Sequence, residues 1–229
     1  MTTGKRTEII KAHFEGEAGA YDGNVVKMVP HYEEMLDAVA SAFPFHPDAD
    51  IKIVDLGSGT GNLSLALRKR FPNAKVSCMD ISGKMLETAR KKLGESRTEY
   101  ILADFSGHEF DMKCDAVVSS LALHHLERKA RRQFFAKVYG ALNDGGVFVN
   151  ADIVLASSSR WQKMYLAKWE GFLAPSLPKE KIEETYARYR SEDRPVPLLG
   201  DIQLLRDVGF READVFWKYY NFAVYGAIK

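Results

Sequence analysis

The stretch IKIVDLGSGTGNL, residues 51–63, constrains this chain more than any other. A short apolar run leads into Gly57, Gly59 and Gly61, and the following NLSLALRKRF carries apolar residues at helical spacing. Strand, tight glycine turn and helix in that order are the opening unit of an α/β fold, and the glycines let a ligand approach the backbone. A triphosphate loop of the GxxxxGK[ST] form requires a lysine after its last glycine. Here Asn62 follows Gly61, which rules that loop out. The dinucleotide fingerprint GxGxxG requires its third glycine one position later, so a nicotinamide-dependent oxidoreductase is kept only as an alternative of another class.

The same alternation continues to residue 155. AKVSCMD (74–80), TEYILAD (98–104), CDAVVSSLAL (114–123) and GVFVNADIVL (146–155) read as strands, with GKMLETARKKL and RKARRQFFAKVYGAL as helices between them. Their continuous apolar runs indicate strands covered on both faces, hence a parallel sheet with helices on each side. Asn143-Asp144-Gly145-Gly146 reads as a helix stop. After QLLRDVGF, the tail READVFWKYYNFAVYGAIK reads as two strands joined tightly around residues 218–221. The last strand should therefore enter the sheet antiparallel. With 229 residues the chain fits one α/β domain. Residues 1–50 are expected to form a helical lid, 51–155 the ligand-binding core, 156–198 a helical cap, and 199–229 a final helix and hairpin. Lid and cap should lie over the carboxyl ends of the strands, where open α/β sheets bind ligands.

Acids stand at those ends in a particular order. Asp55 closes the first strand, where a carboxylate repels pyrophosphate but suits an ammonium group. Asp80 closes the second, the usual place for an acid that meets ribose hydroxyls. Asp104-Phe105 closes the third, offering an acceptor for an amino group and a ring to cover adenine. An amino acid end, a ribose and an adenine in series describe S-adenosylmethionine. The segments VDLGSGTGN, MDISGKML, LADF and SSLALHHL resemble, in register, the successive motifs of class I S-adenosylmethionine-dependent methyltransferases. That resemblance implies a Rossmann-like seven-stranded, mostly parallel sheet with an antiparallel last strand. It also implies a cofactor site of Asp55, Gly57, Ser58, Gly59, Gly61, Asp80, Ile81, Met85, Asp104, Phe105, Ser120 and Leu121. The loop would face the methionine end, Asp80 the ribose and Asp104-Phe105 the adenine. YDGNVVKMVPHYEEML and DVGFREADVFWKYYNFAVYGAIK are similar to the carboxy-S-adenosylmethionine synthase branch and its methyltransferase relatives. That branch uses prephenate and holds a carboxylate with a cap arginine. Arg188, Arg190 and Arg194 lie in the corresponding region, and Arg190 is taken as the candidate.

The leading expectation is in-line methyl transfer to a small-molecule acceptor, with S-adenosylhomocysteine as product. Carboxylated-cofactor synthesis from prephenate is the alternative, and a cofactor-binding regulator without catalysis is a further one. In-line transfer asks the protein mainly for alignment and, for a hydroxyl acceptor, a base. His124 and His125 are the base candidates. In an extended stretch neighbours point to opposite sides, so one of the two should face the cleft and the pair should be poor joint metal ligands. No metal is expected. Tyr21, in the lid, either reaches the methyl group, as in the resembling family, or packs its helix onto the sheet. Trp161, Tyr165 and Trp169 recur every fourth residue, and Tyr186 and Tyr189 share a face of the next helix. Such stripes either pack the core or line an acceptor pocket, with Trp161, Tyr165, Tyr186 and Arg190 as substrate candidates. A net charge of +1 gives no global field for nucleic acid. The basic runs at 68–70, 90–92 and 128–132 read as solvated helix faces. No apolar stretch approaches the ~20 residues of a membrane helix, and MTTGKRTEII lacks a signal-peptide core. With Cys78 and Cys114 read as buried free thiols, a cytoplasmic protein is expected. The aromatic-rich last strands are either buried or form a homodimer interface.

Overall fold

Seven strands form one sheet in the order β3-β2-β1-β4-β5-β7-β6. The computed structural model describes residues 3–110 and 113–229. The strands are β1 (Lys52–Leu56), β2 (Lys75–Asp80), β3 (Thr98–Leu102), β4 (Cys114–Ser120), β5 (Leu142–Ile153), β6 (Asp214–Tyr219) and β7 (Phe222–Ile228). The first five pair in parallel, and β7 runs antiparallel between β5 and β6, as the hairpin requires. Side chains alternate across the pleat, so Ala116 and Val118 of β4 join the core on one face while Val117 joins that on the other. That two-sided burial is why these strands lack a polar face.

Nine α-helices flank the sheet among the described residues: α1 (Thr3–Glu17), α2 (Tyr21–Met28), α3 (Tyr32–Ser41), α4 (Asn62–Arg70), α5 (Gly83–Leu93), α6 (Arg131–Ala141), α7 (Ser159–Leu173), α8 (Lys179–Ser191) and α9 (Leu198–Asp207). Local signals set several of their starts. Ser82 Oγ accepts from the Met85 amide and Ser158 Oγ from the Trp161 amide, capping α5 and α7. The strand order reverses between β1 and β4, where a crevice opens at the carboxyl ends.

Lid and cap close over that crevice through named bonds. Asp22 of α2 accepts from Thr60 Oγ1 at 2.6 Å and from Lys92 Nζ at 2.8 Å. Trp169 Nε1 donates to the Met28 carbonyl at 2.8 Å, tying α7 to α2. The Arg6 guanidinium reaches the Glu192 carbonyl, tying α1 to the end of α8. The Arg194 amide donates to the His124 carbonyl at 2.6 Å, so the segment after α8 runs beside the end of β4.

Two sequence expectations are corrected. The fifth strand does not start at Gly146: α6 stops at Ala141, β5 starts at Leu142, and residues 143–146 bulge opposite Asp115 alone. Gly145, at φ +76°, supplies the left-handed step such a bulge needs. β4 does not run to residue 123: it ends at Ser120, Leu121 turns at φ +55°, and Leu123–His125 forms one 3₁₀ turn. The cysteines are free and buried, as expected. Among the described residues no helix is long and apolar enough to cross a membrane.

Candidate functional site

The glycine loop is fixed from beneath by Asp80. Asp80 Oδ2 accepts from the Gly59 amide and Oδ1 from the Ser82 amide, both at 2.8 Å. One carboxylate thus joins the loop after β1 to the start of α5. Burial raises the Asp80 pKa, while these backbone donors pull it back down. Gly57 and Gly61 have steric reasons to be glycine beyond their positive φ. A Cβ at Gly57 would stand 2.4 Å from Ala122 Cβ, and one at Gly61 would meet Leu93 and Ala89 of α5.

Over this loop lies a cavity of about 180 Å³. Gly57, Gly59, Asp80, Ile81, Met85, Asp104, Phe105, Ser120 and Leu121 line it, as the motifs imply. Three residues of the expected set do not. Asp55 is fully buried behind the loop, accepts from Ser64 Oγ at 2.6 Å, and has its carboxyl raised to about 7 by burial. Ser58 and Gly61 also fall outside the lining; Gly61 packs on α5. The carboxylate read as an ammonium partner is therefore a buried anchor between β1 and α4.

A second cavity of about 110 Å³ adjoins the first. Phe14, Tyr21, Leu121 and His125 line both, so they form the passage between the two chambers. Leu121 holds a left-handed backbone that a β-strand residue rarely adopts, and that turn aims it into the passage. Tyr21 is partly buried there, and burial pushes its hydroxyl pKa far up, so it stays protonated and can only act as a neutral donor or acceptor.

Trp169, Thr185, Arg188, Tyr189 and Asp193 line the second chamber. The four substrate candidates do not. Trp161 is half exposed, Tyr165 accepts from Lys218 Nζ, Tyr186 donates to the Leu166 carbonyl, and Arg190 lies outside the lining. The stripes were real, but each helix faces the chamber with a different member: Trp169 on α7, Arg188 and Tyr189 on α8. Trp169 meets both Tyr186 and Tyr189 edge-on, so Tyr186 packs against the wall that Trp169 and Tyr189 form. The lid residues Arg6, Thr7, Ile10 and Phe14 also line the first chamber. Their spacing of three and four residues on α1 was the signal that could have found them.

The histidine pair is arranged differently from its expectation. Because residues 123–125 form a 3₁₀ turn, the two rings lie 4.1 Å apart on the same side. His124 Nδ1 bonds Asp152 Oδ1 at 2.5 Å, and its Nε2 faces Asp193 Oδ1 at 3.6 Å. Burial would lower the His124 pKa, but the two carboxylates outweigh it and raise it. His125 is lowered well below its usual value by burial and by its neighbour His124, so its ring is neutral. Asp152 belongs to a buried chain in which Asn150 Nδ2 donates to Tyr225 Oη at 2.9 Å and Tyr225 Oη to Asp201 Oδ2 at 2.5 Å. Arg131 pairs with Asp201 and donates to the Leu123 carbonyl, which fixes the turn carrying the histidines.

Sheet order, glycine loop and strand-end acids together resemble those of class I S-adenosylmethionine-dependent methyltransferases. Residues 53–146 match the family model described as a methyltransferase domain. Within that class the full-length likeness is to the carboxy-S-adenosyl-L-methionine synthase branch. The synthase of Campylobacter lari is 26% identical over 216 residues, covering 93% of this chain and 92% of the relative. The malonyl-[acyl-carrier protein] O-methyltransferase 1 of Ilyobacter polytropus is 30% identical over 138 residues, 60% of this chain and 49% of that one. The solved DhpI-SAM-HEP complex superposes with a TM-score of 0.67 at 18% identity, covering 97% of this chain and 96% of that one, which establishes the shared fold.

Proposed function

We propose that this chain transfers the methyl group of S-adenosylmethionine to a small acidic acceptor held in the second chamber. The observation that carries the reading is the pair of adjoining chambers. The larger is lined by the strand-end residues, and the smaller is lined in part by Arg188, whose buried Nε has no hydrogen-bond partner and stands 4.0 Å from Glu192 Oε2. An unpartnered buried donor calls for an anionic or carbonyl oxygen.

The residues fit the cofactor. Asp80 keeps lone pairs for a ribose diol beyond the two amides it accepts. Ile81, Met85 and Phe105 offer an apolar slot for a purine, and Ser120 Oγ is buried without a partner at the loop end of the chamber. S-adenosylmethionine supplies the electrophilic methyl and a thioether leaving group. The chain's residues supply alignment: Tyr21, Leu121 and His125 frame the passage through which the acceptor's lone pair meets the methyl carbon. Phe14 of α1 and Tyr21 of α2 narrow that passage from the lid side.

Calorimetry with S-adenosylmethionine, S-adenosylhomocysteine and NADH tests the cofactor. Micromolar binding of the two sulfur ligands is expected, and binding of NADH alone would overturn the reading. Asp80→Ala should weaken S-adenosylmethionine binding by roughly 2–3 kcal/mol, since it removes both a ligand acceptor and the loop anchor. Unchanged affinity in that variant would remove Asp80 from the site. An acceptor screen of hydroxy- and oxo-acids, read by S-adenosylhomocysteine formation, then tests the chamber.

A second reading is synthesis of the carboxylated cofactor from prephenate. The synthases that this chain resembles over more than 90% of its length support it, as does Arg188 beside the cofactor chamber. Incubation with S-adenosylmethionine and prephenate, followed by mass analysis, separates the two: a carboxylated cofactor favours synthesis, and a methylated acceptor favours transfer.

A further inference from the structure

We propose that His124, His125 and Asp193 form a binding site for one divalent transition-metal ion at the wall of the second chamber. Asp193 Oδ1 lies 3.6 Å from His124 Nε2 and 3.7 Å from His125 Nδ1, and the three ligand atoms lie within 4.8 Å of one another. An ion bound at about 2.0–2.2 Å to nitrogen and oxygen, at tetrahedral or octahedral angles, holds its ligand atoms roughly 3–3.5 Å apart. The two edges to Asp193 are already close to that geometry, and the histidine–histidine edge has to close toward it as the ion binds.

Three observations go beyond proximity. First, both ring nitrogens of His125 are buried and have no hydrogen-bond partner. A polar ring ordinarily finds partners when buried, and an ion on one nitrogen would supply one. Second, His124 is oriented as metal-bound histidines are. Its Nδ1 bonds Asp152 at 2.5 Å, which fixes the ring and leaves Nε2 facing the candidate ion position. Asp152 is held in turn by the Asn150–Tyr225–Asp201 chain, so the orienting carboxylate is rigid. Third, His124, His125 and Asp193 all line the second chamber, so an ion with three protein ligands has its open positions toward the acceptor.

The opposing term is the positive charge nearby. Arg188 faces the same chamber and Arg6 the neighbouring one. Two carboxylates, Asp152 and Asp193, stand against them, and the Arg6 guanidinium is directed to the Glu192 carbonyl rather than to the histidines. Two imidazoles and one carboxylate suit zinc, ferrous iron, cobalt or manganese rather than magnesium or calcium. An acceptor oxygen bound to such an ion and to Arg188 would be held at two points beside the passage.

The site stands whether or not the methyl-transfer reading does, and its test is independent of turnover. The full chain, freed of metal by chelator and dialysis, is titrated with cobalt chloride and followed by visible absorption. One ion per chain with the intense bands of a four- or five-coordinate nitrogen–oxygen site is expected. His125→Ala and Asp193→Ala should each weaken cobalt binding about 100-fold, while His46→Ala, at an exposed surface histidine, should leave it unchanged. Circular dichroism and thermal melting check that the variants fold. In the wild-type cobalt protein, proton NMR should show two exchangeable hyperfine-shifted imidazole signals, one from each histidine. Absence of stoichiometric binding, binding unaffected by both ligand variants, or fewer than two such signals overturns the proposal.

Discussion

Gly57 and Asp55 sit two residues apart and answer to different constraints. Gly57 combines φ +67° with an approach to Ala122 that leaves no room for a Cβ. Gly59 shares the positive φ, but nothing lies within 4 Å of where its Cβ would be. Gly57→Ala is therefore expected to lower the melting temperature and S-adenosylmethionine affinity more than Gly59→Ala, a ranking that thermal melts and calorimetry check directly. Asp55 is a titration matter. Its folded pKa of about 7 lies above the ordinary carboxylate value because burial penalises the charged form. The stability this proton contributes is fully present below pH ~4 and is lost as pH rises through about 7. Asp55→Asn, permanently neutral, should lose less stability than wild type between pH 5 and 8. The difference should be roughly 1–3 kcal/mol, read from urea midpoints at each pH. Equal pH slopes for the two proteins would refute the placement.

The lid helices are joined to the core by polar contacts more than by their own helical tendency. Asp22 alone gathers Thr60, Asn62 and Lys92 at the start of α2, and these donors lower its pKa against the effect of burial. Asp22→Ala should release α2 without unfolding the sheet, costing about 1–2 kcal/mol in lid docking. Hydrogen exchange should then speed up across residues 21–28 while the β1 and β4 amides keep their protection. If protection fell equally everywhere, Asp22 would be part of the global fold rather than a lid latch. α7 and α8 show what sequence can and cannot say about an element. Both helices were legible, because side-chain spacing along a helix is local. Which side chain meets the chamber was not. Each residue turns a helix by about 100°, so Tyr186 and Tyr189 stand about 60° apart while Arg188 and Arg190 face nearly opposite ways, and only the packing of α8 selects which arginine meets the chamber.

The chain from Arg131 through Asp201, Tyr225 and Asn150 to Asp152 ties α6, α9, β7 and β5 to the histidine turn. Its members are buried, and Arg131 and Asp201 form an ion pair with almost no exposure. Removing one partner leaves a charge buried and unpaired. Asp201→Ala should destabilise the whole domain by about 3–5 kcal/mol, against about 1 kcal/mol for Tyr225→Phe, measured by urea unfolding. A small effect in Asp201→Ala would mean that water reaches Arg131. The sequence by itself determined the half that carries the glycine loop: the first four strands, the loop, Asp80 and Asp104-Phe105 follow one another within residues 51–120. Each of these signals is a strand end or a tight turn, whose geometry depends on neighbours in the chain. The second chamber was decided by tertiary structure alone. Asp193 sits in an unremarkable SEDRPVP stretch and meets the histidines only because the segment after α8 pairs back along the end of β4. The histidines themselves face the same way because β4 stops at Ser120 and turns, where an extended strand would have sent them apart.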